Sequence, residues 1–301
     1  MEVLKYEYNK ALSLAPSVMA LGFFDGVTAA HRQILQKAKE EAQRRGISFG
    51  VFTFYSEDPI KRGVERIYST TDKLTLLERC GANFTVLADF ESICSLSPES
   101  FVEDLLIKDL NVSLTVTGYN FRFGKGAAGN AERLALIMKS NGKEAVTVNE
   151  LTDRGEPISS TLIRKALAEK DIKRANRLLG APYFIRGRVS EGNRVGRNLG
   201  FPTVNTSVEK GRIIPTGVFR SSVTIDGKVY NSITNIGTCP TLGERSLHAE
   251  THILNYKGNL YGRELEIYLL EFLREERQFN SKEELRRQIE EDIKRTLTGE
   301  N

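Results

Sequence analysis

The sequence predicts an α/β + β chain: a mainly parallel α/β domain, then a compact antiparallel β domain closed by a terminal helix. Three observations carry that prediction. A length of 301 residues favours two domains at ~100–200 residues each, and each half is long enough to bury its own core. Over residues 1–180, apolar runs alternate with amphipathic helical patterns, as βαβ units require. After Gly180-Ala181-Pro182 the texture changes to period-two alternation broken by turn residues. The boundary is expected near 180–183, giving domains 1–182 and 183–301.

In the first half, 18–23 and 47–54 read as strands, and 84–87, 112–118 and 145–148 as shorter β-rich runs. Between them, Ile34, Leu35, Ala38 and Ala42 share one helical face, and Gly46 stands where a C-terminal cap belongs. Leu74, Leu77 and Cys80 are in register over 71–80, a helix that stops at Gly81. Ser97-Pro98 is a helix start, followed by Phe101, Leu105 and Leu106. In the second half, 184–189 and 218–225 alternate in β fashion, and Asp226-Gly227 signals a hairpin. Lys257-Gly258-Asn259 punctuates another strand pair, and 264–272 follows. This pattern fits a barrel or a sandwich. Ser281 and Glu284 form a capping-box pattern, and Leu285, Ile289 and Ile293 make the apolar stripe of the last helix.

Composition narrows the function. Charge arithmetic, 43 − 39 = +4, is too mildly basic to argue for a nucleic-acid partner, and none is expected. No run approaches ~18 apolar residues, so no membrane span is expected. The opening MEVLKYEYNK carries acids and lacks an apolar core, so no signal peptide is expected and the location reads as cytoplasmic. Cys80, Cys94 and Cys239 show no CxxC spacing and read as reduced thiols. With His31, His248 and His252 the only histidines, histidine-rich metal chemistry is nearly excluded.

Two segments of the first half suit phosphate. Gly22-Phe23-Phe24-Asp25-Gly26 follows a strand and precedes a helix, so its backbone N–H groups can face an anion. It is neither GxGxxG nor a P-loop, and a plain glycine-punctuated βα loop remains the alternative. Ile158-Ser159-Ser160-Thr161-Leu162-Ile163-Arg164 opens a helix with three hydroxyls and a cation, which suits a phosphate chain or a simple N-cap with a surface arginine.

Two segments of the second half do the same. Gly192, Gly196 and Gly200 permit a loop to fold over phosphates, with Arg194 and Arg197 at hand. Thr203 and Asn205 share one face of an extended strand, and two neutral oxygens so placed can hold Mg²⁺ together with nucleotide phosphates. His248, Glu250 and His252 also share a face. They allow a two-His-one-carboxylate metal site, Glu250 as a general base, or cross-strand polar pairing.

Together these segments resemble the prokaryotic bifunctional FAD synthetase family (riboflavin kinase/FMN adenylyltransferase). The first half carries GFFDGVTAAH (22–31), TFYSEDP (53–59), GYNFRFG (118–124) and ISSTLIR (158–164) in the family's order. The second carries GRVSEGNRVGRNLGFPTVN (187–205), TNIGTCPT (234–241), HAETHILNYKGNLYG (248–262) and LREERQFNSKEEL (273–285). The resemblance implies a nucleotidyltransferase-like α/β domain that joins AMP to FMN. It also implies a riboflavin kinase-like antiparallel barrel. ATP would be co-substrate, riboflavin, FMN and FAD substrate or product, and Mg²⁺ the metal on Thr203 and Asn205. Glu250 would be the kinase base, with Gly192, Arg197 and Gly200 on the nucleotide. Phe24, Asp25, Gly26, His31, Asn120, Ser159, Ser160, Thr161 and Arg164 would serve the adenylyltransferase nucleotide. Homo-oligomer formation is left open.

The first half departs from the family's G-x-F-D-G-x-H-x-G-H and T-F-x-P-H-P patterns. Thr28 replaces the first His, Ala30 replaces the Gly, and Asp58 stands where a His is expected. Adenylyl transfer builds negative charge on the α-phosphate and pyrophosphate, and these changes remove or oppose positive groups. The expectation is a working kinase with weakened FAD synthesis. A fully bifunctional enzyme compensated by Lys61, Arg62 or Lys125 is the alternative, and a flavin-responsive binding or regulatory protein is a third.

Overall fold

In a computed structural model the described residues are 1–55, 65–190, 200–209, 211–241 and 244–298, with backbone alone over 239–241 and 244–246. The chain folds as two compact units, Met1–Ser160 and Thr161–Asn301.

The first unit is built on a six-stranded, wholly parallel sheet in the order β1-β4-β3-β2-β5-β8. Its strands are β1 (Glu2–Tyr6), β2 (Ser17–Leu21), β3 (Ser48–Tyr55), β4 (Phe84–Asp89), β5 (Val112–Gly118) and β8 (Glu144–Val148). Its helices are α1 (Ala29–Arg45), α2 (Thr70–Arg79), the short α3 (Phe90–Ile93) and α4 (Pro98–Ser100), a π-helix over Phe101–Asp109, and α5 (Ala131–Ser140). Two small ribbons complete it, β6 (Arg122–Phe123) with β7 (Gly129–Asn130) and β9 (Thr152–Asp153) with β10 (Glu156–Pro157).

The order of strands decides where a ligand can sit. The chain runs from β2 through β3 to β4, then returns to the other side of β2 at β5. This makes a topological switch point between β2 and β5, and the crevice beyond their carboxyl ends is where open α/β sheets bind ligands. The strands near the centre are apolar on both faces, β2 being buried at all five positions, as a covered parallel sheet demands. Helix α1 ends as expected, with Gly46 left-handed at φ 65°. The edge strand β1 has no counterpart among the strands expected from sequence.

The second unit opens with α6 (Ser160–Ala168, its first residue the last of the first unit) and α7 (Ile172–Leu179). A closed six-stranded antiparallel barrel follows, in the order β11-β12-β15-β14-β13-β16. Its strands are β11 (Tyr183–Ser190), β12 (Thr203–Ser207), β13 (Gly217–Ile225), β14 (Lys228–Thr241), β15 (Glu244–Ile253) and β16 (Glu264–Arg274), and α8 (Lys282–Thr298) ends the chain's described part. The choice between sandwich and barrel is thus settled as a barrel. Asp226 (φ 49°) and Gly227 (φ 78°) are both left-handed, the geometry of a tight hairpin turn between β13 and β14. Buried hydroxyls run across three strands in one chain: Ser221 to Ser232 at 2.8 Å, Ser221 to Thr234 at 2.7 Å, and Thr234 to Thr251 at 2.9 Å. Each polar group so buried has a partner, which removes the desolvation penalty.

Helix α8 lies where its apolar stripe requires. Ile293 packs against Val218, Ile233 and Leu273. Asp292 is 1% exposed, and its Oδ2 accepts from both Arg274 Nε (3.1 Å) and Nη2 (2.9 Å). Ser281 Oγ accepts from the Glu284 N–H, as the capping pattern predicts. Among the described residues no helix is long and apolar enough to cross a membrane.

Candidate functional sites

The first site is a cavity of about 680 Å³ in the first unit, at the switch point. Gly22, Phe23 and Phe24 after β2 and Gly118 to Gly124 after β5 line it, with Phe52 and Phe54 of β3. Of the residues expected to hold nucleotide, Phe24, His31, Asn120, Ser159 and Ser160 line this cavity. Asp25 and Gly26 shape the loop instead. Asp25 Oδ1 accepts from the Ile67 N–H at 3.3 Å, and a Cβ on Gly26 would meet Ile67 Cδ1 at 2.7 Å. Ser160 Oγ donates to the Asp25 carbonyl at 2.8 Å, so the two phosphate-suited segments of the sequence meet. Thr161 and Arg164 continue the helix that Ser160 begins.

The loop itself is conformationally loaded. Phe24 (φ 50°) and Val27 (φ 42°) are left-handed without being glycine, and both are fully buried. Thr28 is the N-cap of α1 in a reciprocal capping box. Its Oγ1 accepts from the His31 N–H at 3.2 Å, and His31 Nδ1 accepts from the Thr28 N–H at 3.1 Å. Because Nδ1 accepts, the neutral ring carries its proton on Nε2. Burial, and then the charge of Lys73, push His31 down to about 4, so the ring is neutral at physiological pH. Thr28 and Ala30, two of the three positions expected from sequence to weaken adenylyl transfer, both line the cavity. Asp58, the third, lies outside the described residues, as do Lys61 and Arg62. Lys125 is exposed between the lining residues Gly124 and Gly126.

The second site lies on the barrel, where strand register assembles it. Asn205 of β12 stands opposite Glu250 of β15, and Glu250 stands opposite Asn235 of β14. Thr203 stands opposite His252 in the next row but one. Two cavities meet here. One, about 560 Å³, is lined by Thr203 and Asn205 with Val189, Tyr256, Lys257 and Asn259. The other, about 190 Å³, is lined by Thr203 and Glu250 with Phe201, Arg277, Phe279 and Leu285 of α8. Thr203 therefore belongs to both.

Glu250 is raised above the usual carboxylate range by burial, then by the neighbouring Glu276 charge, with His248 opposing. Asn235 Nδ2 donates to Glu276 Oε1 at 3.0 Å. Sequence alone singles out neither Asn235 nor Glu276. Their only signal is their place inside the TNIGTCPT and LREERQF segments. His252 Nδ1 hydrogen-bonds the Pro202 carbonyl oxygen at 2.8 Å, and among the described residues no cluster of His, Cys, Asp and Glu forms a metal site. The two-His-one-carboxylate alternative is thus not assembled. Gly200 is exposed and left-handed at φ 90° ahead of β12, whereas Gly192, Arg194 and Arg197 lie outside the described residues. Cys80 and Cys94 are free thiols, and the Cys239 side chain lies outside the described set.

The family model described as FAD synthetase matches residues 10–162, and that described as riboflavin kinase matches residues 179–298. The Bacillus subtilis bifunctional riboflavin kinase/FMN adenylyltransferase is 36% identical over 92% of this chain and 90% of its own. The Escherichia coli K12 protein of the same name is 33% identical over 93% of each chain. A crystal structure from Streptococcus pneumoniae titled macrolide-efflux protein superposes with a TM-score of 0.86 at 28% identity, covering 99% of each chain. The first match spans the switch-point cavity and the second spans the barrel with its paired cavities. The chain therefore belongs to the bifunctional riboflavin kinase/FMN adenylyltransferase family.

Proposed function

We propose that the barrel phosphorylates riboflavin to FMN with ATP, and that the first unit adenylylates FMN to FAD at a lower rate. The observation that carries the kinase reading is the place of Thr203 in both barrel cavities, with Asn205 in one and Glu250 in the other. A phosphate donor in the larger cavity and an alcohol acceptor in the smaller would meet at Thr203. Glu250 would take the proton of the ribityl hydroxyl as it attacks the γ-phosphorus, and its raised pKa brings it nearer the working pH.

Thr203 and Asn205 supply neutral oxygen donors two residues apart on one strand, a donor set that fits a hard cation. Magnesium bound there would neutralise phosphate charge. Gly200, left-handed ahead of β12, would let the backbone approach the phosphates closely. The same reading takes 1–182 as the adenylyltransferase domain and 183–301 as the kinase domain. The helices α6 and α7 group with the barrel, and Asn176 ties α7 to it by accepting from the Tyr183 N–H and donating to the Leu269 carbonyl.

The lower adenylylation rate is supported by Thr28 and Ala30. The first offers the cavity a hydroxyl already engaged in capping, and the second a methyl group. Incubation with riboflavin and Mg-ATP, resolving FMN from FAD over time, tests both halves of this reading. FMN should form rapidly and FAD slowly.

A further inference from the structure

Lys73 lies in α2 and, although a lysine, is only 7% exposed. Its ammonium donates to the Phe54 carbonyl at 2.5 Å, to Thr53 Oγ1 at 3.3 Å and to the Phe23 carbonyl at 3.5 Å. It also lies 5.8 Å from the Phe23 ring centroid. Thr53 Oγ1 in turn donates to the Phe23 carbonyl at 3.0 Å. One buried cation thus joins the β2–α1 loop to the end of β3, the two segments that flank the first cavity from this side.

That loop needs holding. Left-handed backbone at Phe24 and at the β-branched Val27 is strained and persists only where its surroundings over-determine it. The surroundings are Lys73 below, the Asp25–Ile67 hydrogen bond beside it, and Ser160 on the Asp25 carbonyl. Carbonyl and hydroxyl oxygens orient an ammonium without cancelling its charge. The charges that act on Lys73 are Asp25, which favours the cation, and Arg66, which opposes it, while the charge of Lys73 is felt at His31.

We propose that Lys73 is a positioning residue for adenylyl transfer: its ammonium locks the Phe23 and Phe54 carbonyls in one arrangement and supplies, behind the loop, the fixed positive charge that Thr28 does not carry. This rests on reading the first cavity as the adenylyl-transfer site. In that reaction an FMN phosphate oxygen attacks the α-phosphorus of ATP. The bond from the α-phosphorus to the bridging oxygen breaks, and its electron pair leaves with pyrophosphate. Charge grows on the α-phosphate and the leaving group, where a pre-placed cation in a dry site counts most.

The test uses full-length Lys73→Met and Lys73→Gln. Glutamine can still donate to carbonyls but carries no charge, so both variants should lose FAD formation from FMN and Mg-ATP alike. The expected loss is about 10²-fold in kcat with KM for FMN little changed. FMN formation from riboflavin should stay at the wild-type level. By NMR, the His31 titration should move upward in both variants. Wild-type FAD turnover in Lys73→Gln, or an unchanged His31 titration, would overturn the charge role. Collapse of the first unit in both variants would reduce Lys73 to a folding residue and overturn it too. A wild-type chain that makes no FAD would instead sink the reading of the cavity, and the His31 titration would still report whether the Lys73 charge reaches the loop.

Discussion

Thr28 and His31 cap one another at the head of α1: each backbone N–H is accepted by the other's side chain, at 3.1 and 3.2 Å. Thr28 is therefore built into the helix start, and its backbone N–H fixes the tautomer of His31. Replacing Thr28 by alanine should cost about 1 kcal/mol of first-unit stability and lower FAD output while leaving FMN output unchanged. Denaturant unfolding alongside product analysis checks both. Restoring Thr28→His, Ala30→Gly and Asp58→His together should raise FAD output more than any single change, because such groups act as a unit.

Glu250→Gln should fold normally and lose FMN formation by ~10²–10⁴-fold, since the amide cannot accept the proton. Initial rates with riboflavin and Mg-ATP measure it. Near wild-type turnover would remove Glu250 from the mechanism.

Asn205→Ala should raise the magnesium concentration needed for half-maximal FMN formation, because one of two neutral oxygen donors is lost. A magnesium titration of wild type and variant reads it directly. An unchanged requirement would count against metal binding at this pair.

FAD formation from FMN should fall as pH rises past about 8. Burial, with Arg66 adding and Asp25 opposing, pushes Lys73 down to about 8, so the ammonium discharges there. The stability of the first unit should move the other way. Between about 8 and the ordinary 10.5 the unfolded chain binds a proton that the folded chain does not, so stability rises with pH across that window. Lys73→Met should abolish both trends.

The fragment 183–301 should fold and retain kinase activity, as every residue assigned to the kinase lies within it, and proteolysis should cut near 180–183. It should melt below the fragment 161–301. The longer piece keeps α7 and both Asn176 hydrogen bonds, at 2.7 Å from the Tyr183 N–H and 2.9 Å to the Leu269 carbonyl, each worth about 0.5–1.5 kcal/mol.

Local signals carried much of the architecture. Gly46, Ser97-Pro98, Asp226-Gly227 and Ser281 each act within a few residues of themselves, and each ends, starts or turns an element as its chemistry requires. What depends on distant pairing was hidden. Strand β1 exposes Glu2, Val3 and Lys5 and exists because it pairs with β4, some eighty residues away. Lys73 is polar in a helix pattern and is buried only because two loop ends fold over it. The row Asn205–Glu250–Asn235 is created by barrel register, and Glu276 reaches it from beyond β16. The Thr203 and Asn205 pair was legible because both lie on one strand, two residues apart.

The proposed pairing of a riboflavin kinase barrel with a slower adenylyltransferase would make its two products in a fixed order. A time course of the full chain with riboflavin and Mg-ATP, with FMN and FAD resolved chromatographically, tests this most directly. FMN should accumulate first, and FAD should follow at a clearly lower rate. No FMN, or FAD appearing as fast as FMN is made, would contradict it.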